Sequence, residues 1–249
     1  MIHLKSSSEI AKMRESGRIV ARTMRLVSEA IKPGTTTTLE LDALAERLIR
    51  EEGGVPSFKG YRGFPATACI SVNEEVIHGI PGERVLLEGD IVDLDFGVYK
   101  DSFHADAAWT FPVGTISKDA QRLLNVSLEA LNQGIRKACP GVRVGVVSST
   151  IQKYVEGQGY SVVRELVGHG IGRDLHEEPS VPNFGRPKDG PILKPGTTIC
   201  IEPMVNQGRH EVETLADGWT IVTRDGTLSA HFEHTVAVTS DGPELLTVE

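Results

Sequence analysis

Two aspartates, Asp95 and Asp106, stand out in the stretch DLDFGVYKDSFHAD, residues 93–106. Alternating residues on both sides of Lys100-Asp101 predict an antiparallel hairpin with that pair as its turn. In this register Asp95 lies directly opposite Asp106, with Cβ atoms ~5 Å apart, and like charges so placed are destabilising. At an effective dielectric of about 20 the repulsion is roughly 3 kcal/mol. Three explanations are open: a register slipped by one residue, a shared proton, or a bound cation.

The second half of the chain adds an imidazole and a carboxylate in unusual settings. His169 lies in the run GHGIG, whose spacing differs from that of a dinucleotide-binding loop. A lone histidine of this kind is more often structural than a metal ligand, and both interpretations stay open at this point. Glu233 lies in LSAHFEHTVAV, residues 228–238, where alternation predicts one buried strand. A carboxylate inside such a strand needs a partner, because burying an unpaired charge is costly.

Two predicted helix pairs precede the strand-rich segments that carry these residues. Ser7 or Ser8 is expected to cap the first helix, and Thr37 with Glu40 forms a capping box for the second. Glycine and proline-glycine signals end each helix. The predicted ranges are about 8–31, 38–52, 117–138 and 144–155.

Landmarks of the first half recur 107 residues later, which predicts an internal duplication. Chance repetition of common turn residues is the alternative. The matches are Pro33-Gly34 with Pro140-Gly141, Leu86 with Leu193, Gly89 with Gly196, and Asp95 with Glu202. We therefore expect an α+β fold, one domain over 1–249, with pseudo-symmetric halves of about 1–115 and 116–249. Because Asp95 and Glu202 correspond, a site between the halves would receive a carboxylate from each.

Four carboxylates and one imidazole are too acidic for a dry cluster and too many for one shared proton. The set is Asp95, Asp106, Glu202, Glu233 and a histidine. These ligand types suit two divalent cations bridged by water. Such ions lower the pKa of the water and polarise a carbonyl group, which is hydrolytic chemistry. A cation would also convert the repulsion between the aspartates into attraction.

The composition is that of an ordinary globular protein, with 249 residues, 39% hydrophobic, 24% charged and a net charge of −8. The acidic balance and the lack of a basic run argue against direct nucleic-acid readout. Three widely separated cysteines without a C-x-x-C spacing predict reduced thiols and a cytoplasmic protein. No signal segment or membrane span is predicted, and a monomer is expected.

The other histidines and two neighbouring acids are given no role in chemistry. His3, His104, His210, His231 and His234 are predicted to be structural or exposed. Glu177 and Glu178 are predicted to lie on a solvated face or to cap a helix. The segment EVETLADGWTIVT predicts a hairpin that turns at Asp217-Gly218.

Several motifs together give the chain a family resemblance. They are the Asp95–Asp106 spacing, GHGIGR (168–173), HEEP (176–179), IEPM (201–204) and EHT (233–235). With them the chain resembles the type I methionine aminopeptidases of the creatinase-like, pita-bread superfamily, in their short bacterial form. The resemblance extends from the first helix to Val238 and implies a curved antiparallel sheet covered by helices. It also implies that His169 joins the four carboxylates as ligands of a dinuclear centre.

The resemblance further implies an activity and roles for three residues. The activity is removal of the N-terminal methionine from nascent proteins, with a small second residue preferred, by attack of a metal-bridging water. His78 would contact the scissile amide, and His176 would hydrogen-bond the substrate carbonyl. Glu202 would carry a proton from the water to the departing amine. Manganese, iron, cobalt and zinc all suit the ligands, and the ribosome is an expected partner.

An apolar pocket for the methionine side chain is also implied. Its walls would be Phe58, Tyr61, Phe64, Cys69, Leu175 and Trp219. Some bacterial relatives have Cys, Tyr and Phe at the positions of Phe58, Phe64 and Leu175, which changes the shape of the pocket while keeping it apolar. Asn73 and Ser229 match positions that hold a monovalent cation in some relatives.

Two other functions compete with this one. The first is another pita-bread hydrolase, prolidase or aminopeptidase P, which usually has an additional N-terminal domain that this length does not accommodate. Cleavage of an X-Pro bond would favour it. The second is a binding module that has lost catalysis, which metal binding without turnover would favour. The presence of all five ligands and both histidines disfavours the second.

Overall fold

The computed structural model describes all 249 residues and contains the two predicted helix pairs. The helices are α1 (Ser7–Glu29), α2 (Thr38–Glu51), α3 (Lys118–Lys137) and α4 (Val144–Gly157). The first cap is Ser6 and not Ser7 or Ser8, because Ser6 forms the capping box with Glu9. The box of Thr37 and Glu40 at α2 is confirmed. No helix is both long and apolar enough to cross a membrane.

Fifteen strands follow the helix pairs, five in the first half and ten in the second. The strands of the first half are β1 (Val55–Pro56), β2 (Ala68–Val72), β3 (Glu75–Ile77), β4 (Ile91–Lys100) and β5 (Phe103–Pro112). Those of the second half are β6 (Ser161–Val162), β7 (Gly168–Gly170), β8 (Glu177–Val181), β9 (Thr198–Ile201), β10 (Met204–Asn206), β11 (Val212–Thr214), β12 (Ile221–Thr223), β13 (Ser229–His231), β14 (His234–Thr239) and β15 (Gly242–Leu245).

All strand pairs are antiparallel, and they form four sheets. In the first half β4 pairs with β5 on one side and with β1 and β2 on the other. In the second half the orders are β15-β14-β9-β7-β8 and β13-β10-β6, and β11-β12-β3 joins the halves. Helix α1 packs against β4 and β5, and α3 packs against α4 and the strands β9, β10 and β13. The buried apolar face of α1 includes Met13, Ile19 and Val27.

The hairpin of β4 and β5 exists, but its predicted register was wrong. Lys100 pairs with Phe103, so the turn is Asp101-Ser102, with φ of 50° and 72°. A two-residue turn with positive φ at both central positions matches the twist of the flanking strands. Asp106 therefore faces Gly97, two residues beyond Asp95. Because side chains alternate with a period of two, this shift leaves both aspartates on one face of the sheet.

The prediction of one strand over 228–238 was also wrong. The segment divides at Phe232-Glu233 into β13 and β14, which belong to different sheets. Its partner divides at Glu202-Pro203 into β9 and β10 in the same way. Strand β5 docks at this break, where the Glu233 N–H donates to the Ala108 carbonyl over 2.8 Å. Each glutamate thus lies where the chain passes from one sheet to another.

The 107-residue offset recurs in the backbone hydrogen bonds. The Gly34 N–H donates to the Leu86 carbonyl over 2.7 Å, and the Gly141 N–H donates to the Leu193 carbonyl over 2.9 Å. Each bond joins the turn between the two helices of a pair to a later loop. The strand that follows this loop leads to the carboxylate. Asp95 and Glu202 consequently follow equivalent loops in the two halves.

Candidate functional site

One cleft of about 310 Å³ receives side chains from both halves of the chain. Its walls contain the five predicted ligands, the two predicted catalytic histidines and the six predicted pocket residues. They are Asp95, Asp106, His169, Glu202 and Glu233, then His78 and His176, then Phe58, Tyr61, Phe64, Cys69, Leu175 and Trp219. Residues that are up to 175 positions apart in sequence are thereby brought into one cleft, which combines acidic, imidazole and apolar side chains.

The predicted ligands converge on a buried point next to Asp106. Ligand atoms of Asp106, His169 and Glu233 lie within 4.8 Å of one another, and the Cys200 thiol is also in that group. His169 Nε2 lies 3.6 Å from Glu202 Oε1 and 3.9 Å from Asp106 Oδ2. Burial and the charge of Glu233 raise the pKa of the Cys200 thiol well above its usual range.

The carboxylates have buried oxygen atoms that the protein itself does not satisfy. Asp95 Oδ1, Asp106 Oδ1 and Glu233 Oε1 have no hydrogen-bond partner. Burial, followed by the charge of neighbouring carboxylates, raises the pKa values of Asp95, Glu202 and Glu233 well above normal, and burial raises that of Asp106 to about 8. Buried carboxylates of this kind are stable when they coordinate cations. The residues present therefore fit divalent metal ions.

The glycines beside His169 allow two strands to approach its backbone. A Cβ atom on Gly168 would lie 2.4 Å from the Cys200 carbonyl oxygen, and one on Gly170 would lie 2.2 Å from that of Glu178. The His169 Nδ1–H donates to the Gly170 carbonyl over 2.9 Å, which leaves Nε2 free to face the carboxylates. Burial lowers the pKa of His169 to about 4, so its neutral imidazole has a lone pair available.

The two predicted catalytic histidines both line the cleft. His78 has a φ of 60°, a strained conformation for a residue with a side chain, and burial lowers its pKa to about 4. The His176 ring lies against those of Tyr61 and His169, with centroids 5.3 Å and 4.1 Å away. Its Nδ1 is 2.9 Å from the Tyr61 hydroxyl. Partial burial lowers the pKa of His176 and favours its neutral form.

Local turns position the apolar wall. The Asp217 carboxylate accepts hydrogen bonds from the backbone of Trp219 and Thr220, so the predicted hairpin turn at Asp217-Gly218 is confirmed and directs Trp219 at the cleft. The Trp219 ring meets Phe64 edge-on, with centroids 5.1 Å apart. A Cβ atom on Gly97 would lie 2.7 Å from the Phe58 ring, so the glycine opposite Asp106 makes room for the pocket.

Two predicted residues lie outside the cleft. Asn73 and Ser229 are adjacent, because the Ser229 N–H donates to the Asn73 carbonyl over 2.9 Å, but neither lines the cleft. Asn73 has a φ of 60°, and its side chain bonds Asp90 and the backbone of Ile91. Their assignment to a monovalent cation stays a prediction.

Sequence reasoning missed several residues of the site. His231 was predicted to be structural, but it lines the cleft, with Nδ1 3.3 Å from Asp93 Oδ2 and Nε2 3.9 Å from Glu202 Oε2. No local signal in the sequence marked this position, because the chain changes sheets between His231 and His234. The other missed wall residues are Arg62, Ile77, Glu165, Leu166 and Val167. Glu177 was also wrongly predicted, since it forms a buried ion pair with Lys5.

Comparison with known proteins agrees with this geometry. Residues 11–240 match the model of metallopeptidase family M24. Methionine aminopeptidase 1 of Bacillus subtilis is 54% identical over 247 residues, which cover 99% of each chain. The solved methionine aminopeptidase of Thermotoga maritima superposes with a TM-score of 0.98 at 44% identity, and the match covers 100% of both chains.

A more distant structure shows how far the fold extends. The prolidase of Pyrococcus furiosus superposes with a TM-score of 0.81 at 23% identity, over 99% of this chain and 65% of the prolidase. Identity this low shows the fold alone, and that fold is the expected pita-bread architecture of antiparallel sheets covered by helices. The chain therefore belongs to metallopeptidase family M24 and, within it, to the type I methionine aminopeptidases of bacterial form.

Proposed function

We propose that this protein removes the N-terminal methionine from nascent proteins and peptides whose second residue is small. The observation that carries the proposal is the single cleft that combines four buried carboxylates, a neutral imidazole and an apolar wall. The polarizable thioether of methionine suits a wall of aromatic and sulfur-bearing side chains. The free amine of the substrate would lie at the acidic base, which accounts for action at the end of a chain.

The ligands in this proposal are Asp95, Asp106, His169, Glu202 and Glu233. Their buried, unpartnered carboxylate oxygens and the free Nε2 of His169 support the assignment. When bound, two divalent ions supply the activation of water and the polarisation of a carbonyl that peptide hydrolysis needs. Manganese, iron, cobalt and zinc all suit this donor set, and metal analysis of the protein isolated from its own cells would decide among them.

Three side chains would handle protons and hydrogen bonds around the scissile amide. Glu202 would take the proton of the attacking water and deliver it to the departing nitrogen, a role that its buried position favours. His78, neutral and held in a strained conformation, would hydrogen-bond the amide at the leaving nitrogen. His176 would donate a hydrogen bond to the carbonyl oxygen as negative charge develops on it.

The finer parts of the proposal concern surroundings and assembly. We infer action on nascent chains in the cytoplasm, close to the ribosome, by a monomer, with a monovalent cation at Asn73 and Ser229. The three free cysteines, two of them buried, support a reducing compartment. Co-sedimentation with ribosomes would test the ribosome contact, and the molar mass in solution would test the monomer. Activity with and without potassium would test the monovalent cation.

Product analysis by mass spectrometry tests the activity. Protein stripped of metal and reloaded with manganese or cobalt would be incubated with Met-Ala-Ser, Met-Leu-Ser and Ala-Pro-Ser. We expect loss of methionine from the first peptide only. Release of alanine from the third would move the assignment to the proline-specific relatives. No cleavage by folded, metal-loaded protein would favour a binding module.

A further inference from the structure

Tyr61 differs from the other residues of the apolar wall because its hydroxyl reaches a histidine. Tyr61 Oη lies 2.9 Å from His176 Nδ1, although the residues are 115 positions apart in sequence. A short 3₁₀ turn holds the tyrosine in place. The Tyr61 N–H donates to the Phe58 carbonyl and the Phe64 N–H donates to the Tyr61 carbonyl, both over 2.9 Å. The backbone on both sides of Tyr61 is thus tied, and its hydroxyl has a defined partner.

The surroundings of His176 leave one edge of its ring for a substrate. The Tyr61 ring is nearly parallel to it, at an angle of 15°, and the His169 ring lies against it at 37°. A neutral imidazole has its hydrogen on one nitrogen only, and the partner of the other nitrogen decides which. If Nδ1 accepts the Tyr61 hydroxyl hydrogen, Nε2 has the ring hydrogen. If Nδ1 donates instead, Nε2 is an acceptor and cannot bond a carbonyl oxygen.

We propose that Tyr61 is a positioning residue that holds His176 in the Nε2–H tautomer, the form that can donate to the substrate carbonyl. The proposal rests on the proposed function, because it uses the carbonyl contact assigned there to His176. The ring of Tyr61 walls the methionine pocket while its hydroxyl fixes the tautomer of the neighbouring donor. The residue therefore connects side-chain recognition to stabilisation of the developing oxyanion.

Tyr61→Phe tests the role of the hydroxyl while retaining the ring. One lost hydrogen bond is worth a factor of about three to ten, so we expect kcat to fall by about that factor and KM to stay within about twofold. Tyr99→Phe is the matched control. Its ring also lies against a histidine, His104, with centroids 4.6 Å apart, but its hydroxyl makes no hydrogen bond to that ring. We expect Tyr99→Phe to leave kcat unchanged.

The same substitution in a His176→Ala background separates this role from others. If the hydroxyl acts through His176, Tyr61→Phe has no further effect there, which is the expected result. A loss of kcat that persists in that background would overturn the proposal, because it would mean that the hydroxyl touches substrate directly. Unchanged kcat in the single variant would overturn it as well.

Nitrogen-15 spectra of the histidine rings read the tautomer without turnover. The zinc-loaded protein is suitable because zinc is diamagnetic, and His176→Ala identifies the resonances. We expect Nε2 protonated and Nδ1 bare in the unmodified protein, with a mixture of tautomers in Tyr61→Phe. A proton on Nδ1 in the unmodified protein would overturn the proposal. The expected spectrum in a protein that cleaves no methionyl peptide would refute the proposed function and leave the tautomer assignment supported.

Discussion

Two pairs of carboxylates reach the same cleft from two different kinds of backbone. Asp95 and Asp106 project from a hairpin that is paired over ten residues. Glu202 and Glu233 lie at breaks where the chain leaves one sheet and enters another. In the hairpin, alternation keeps both aspartates on one face even when the register shifts by two residues. At a break no periodicity applies, so the direction of the side chain depends on the sheets on both sides.

One hydroxyl fastens the hairpin to the break. Thr235 Oγ1 accepts a hydrogen bond from the Asp106 N–H over 2.9 Å and donates one to the Asp106 carbonyl over 2.8 Å. The Glu233 N–H bonds Ala108 on the same strand. These contacts set the separation between the two carboxylate pairs, so the regular region and the irregular one form a single site.

Loss of one proposed ligand from either region is expected to have the largest effect. Mutation of a residue that hydrogen-bonds a metal ligand typically costs about 10–100-fold in metal affinity or activity. A ligand itself should matter at least as much, so we expect Asp106→Asn and Glu233→Gln each to lower kcat/KM for a methionyl peptide by at least about 100-fold. Both variants should also hold less metal per protein by elemental analysis. Asp101→Asn, in the turn of the same hairpin, is the control and should retain activity. Metal loss confined to one of the two variants would contradict a shared centre.

Loss of the Thr235 hydroxyl, which joins the hairpin to the break, should have the second largest effect, a loss of stability. Thr235→Val keeps the buried shape but leaves the Asp106 N–H and carbonyl without partners, which costs about 2 kcal/mol of unfolding free energy. Urea unfolding measures this cost. In Thr150→Val the hydroxyl that is lost bonds a helix carbonyl, Val146, so this control should change stability by less than about 0.5 kcal/mol. Equal stabilities of the two variants would show that Thr235 does not connect the regions.

The parts of the site that depend on local patterns could be predicted from the sequence. Alternation placed Asp95 and Asp106 on one face, and the 107-residue repeat identified Glu202 as the counterpart of Asp95. The capping box of Thr37 and Glu40 located α2 for the same reason, since its signals lie within one turn. Such patterns survive small errors in register or boundary.

The parts that depend on distant partners could not be predicted. The alternation of residues 228–238 continues through Glu233, but the neighbouring strands change there, and that change is a tertiary property. The partner of His231, Asp93, is 138 residues away, and that of Glu177, Lys5, is 172 residues away. No local signal marks such pairs, so both residues were assigned to the wrong environment.

The buried carboxylates also predict how pH acts on the metal-free protein. Burial raises the pKa of Asp106 to about 8, whereas an unfolded aspartate titrates near 3.9. Between these values the native protein holds a proton that the unfolded chain has released. The unfolding free energy should therefore fall by about 1.4 kcal/mol per pH unit for each such proton as pH rises from 5 to 8.

Two comparisons check this slope in denaturant titrations at several pH values. Asp106→Asn should flatten it, because the titrating group is removed from the hairpin side of the site. Added divalent metal should stabilise the protein most near pH 8, where it replaces the proton. A metal-free protein whose stability rises with pH over this range would contradict the assignment of raised pKa values to the cluster.

The smallest predicted effect concerns the turn that determines the register of the hairpin. Ser102 has a φ of 72°, a left-handed conformation that costs a residue with a side chain about 1 kcal/mol. Ser102→Gly should therefore stabilise the protein by up to about 1 kcal/mol, because glycine is the preferred residue in this turn. Ser180 is an exposed residue in the interior of strand β8. Because glycine in a strand interior is destabilising, Ser180→Gly should instead destabilise the protein by about 0.5–1 kcal/mol. If Lys100-Asp101 were the turn, Ser102 would be a strand residue and both substitutions would destabilise, so the sign of the change in urea midpoint distinguishes the two registers.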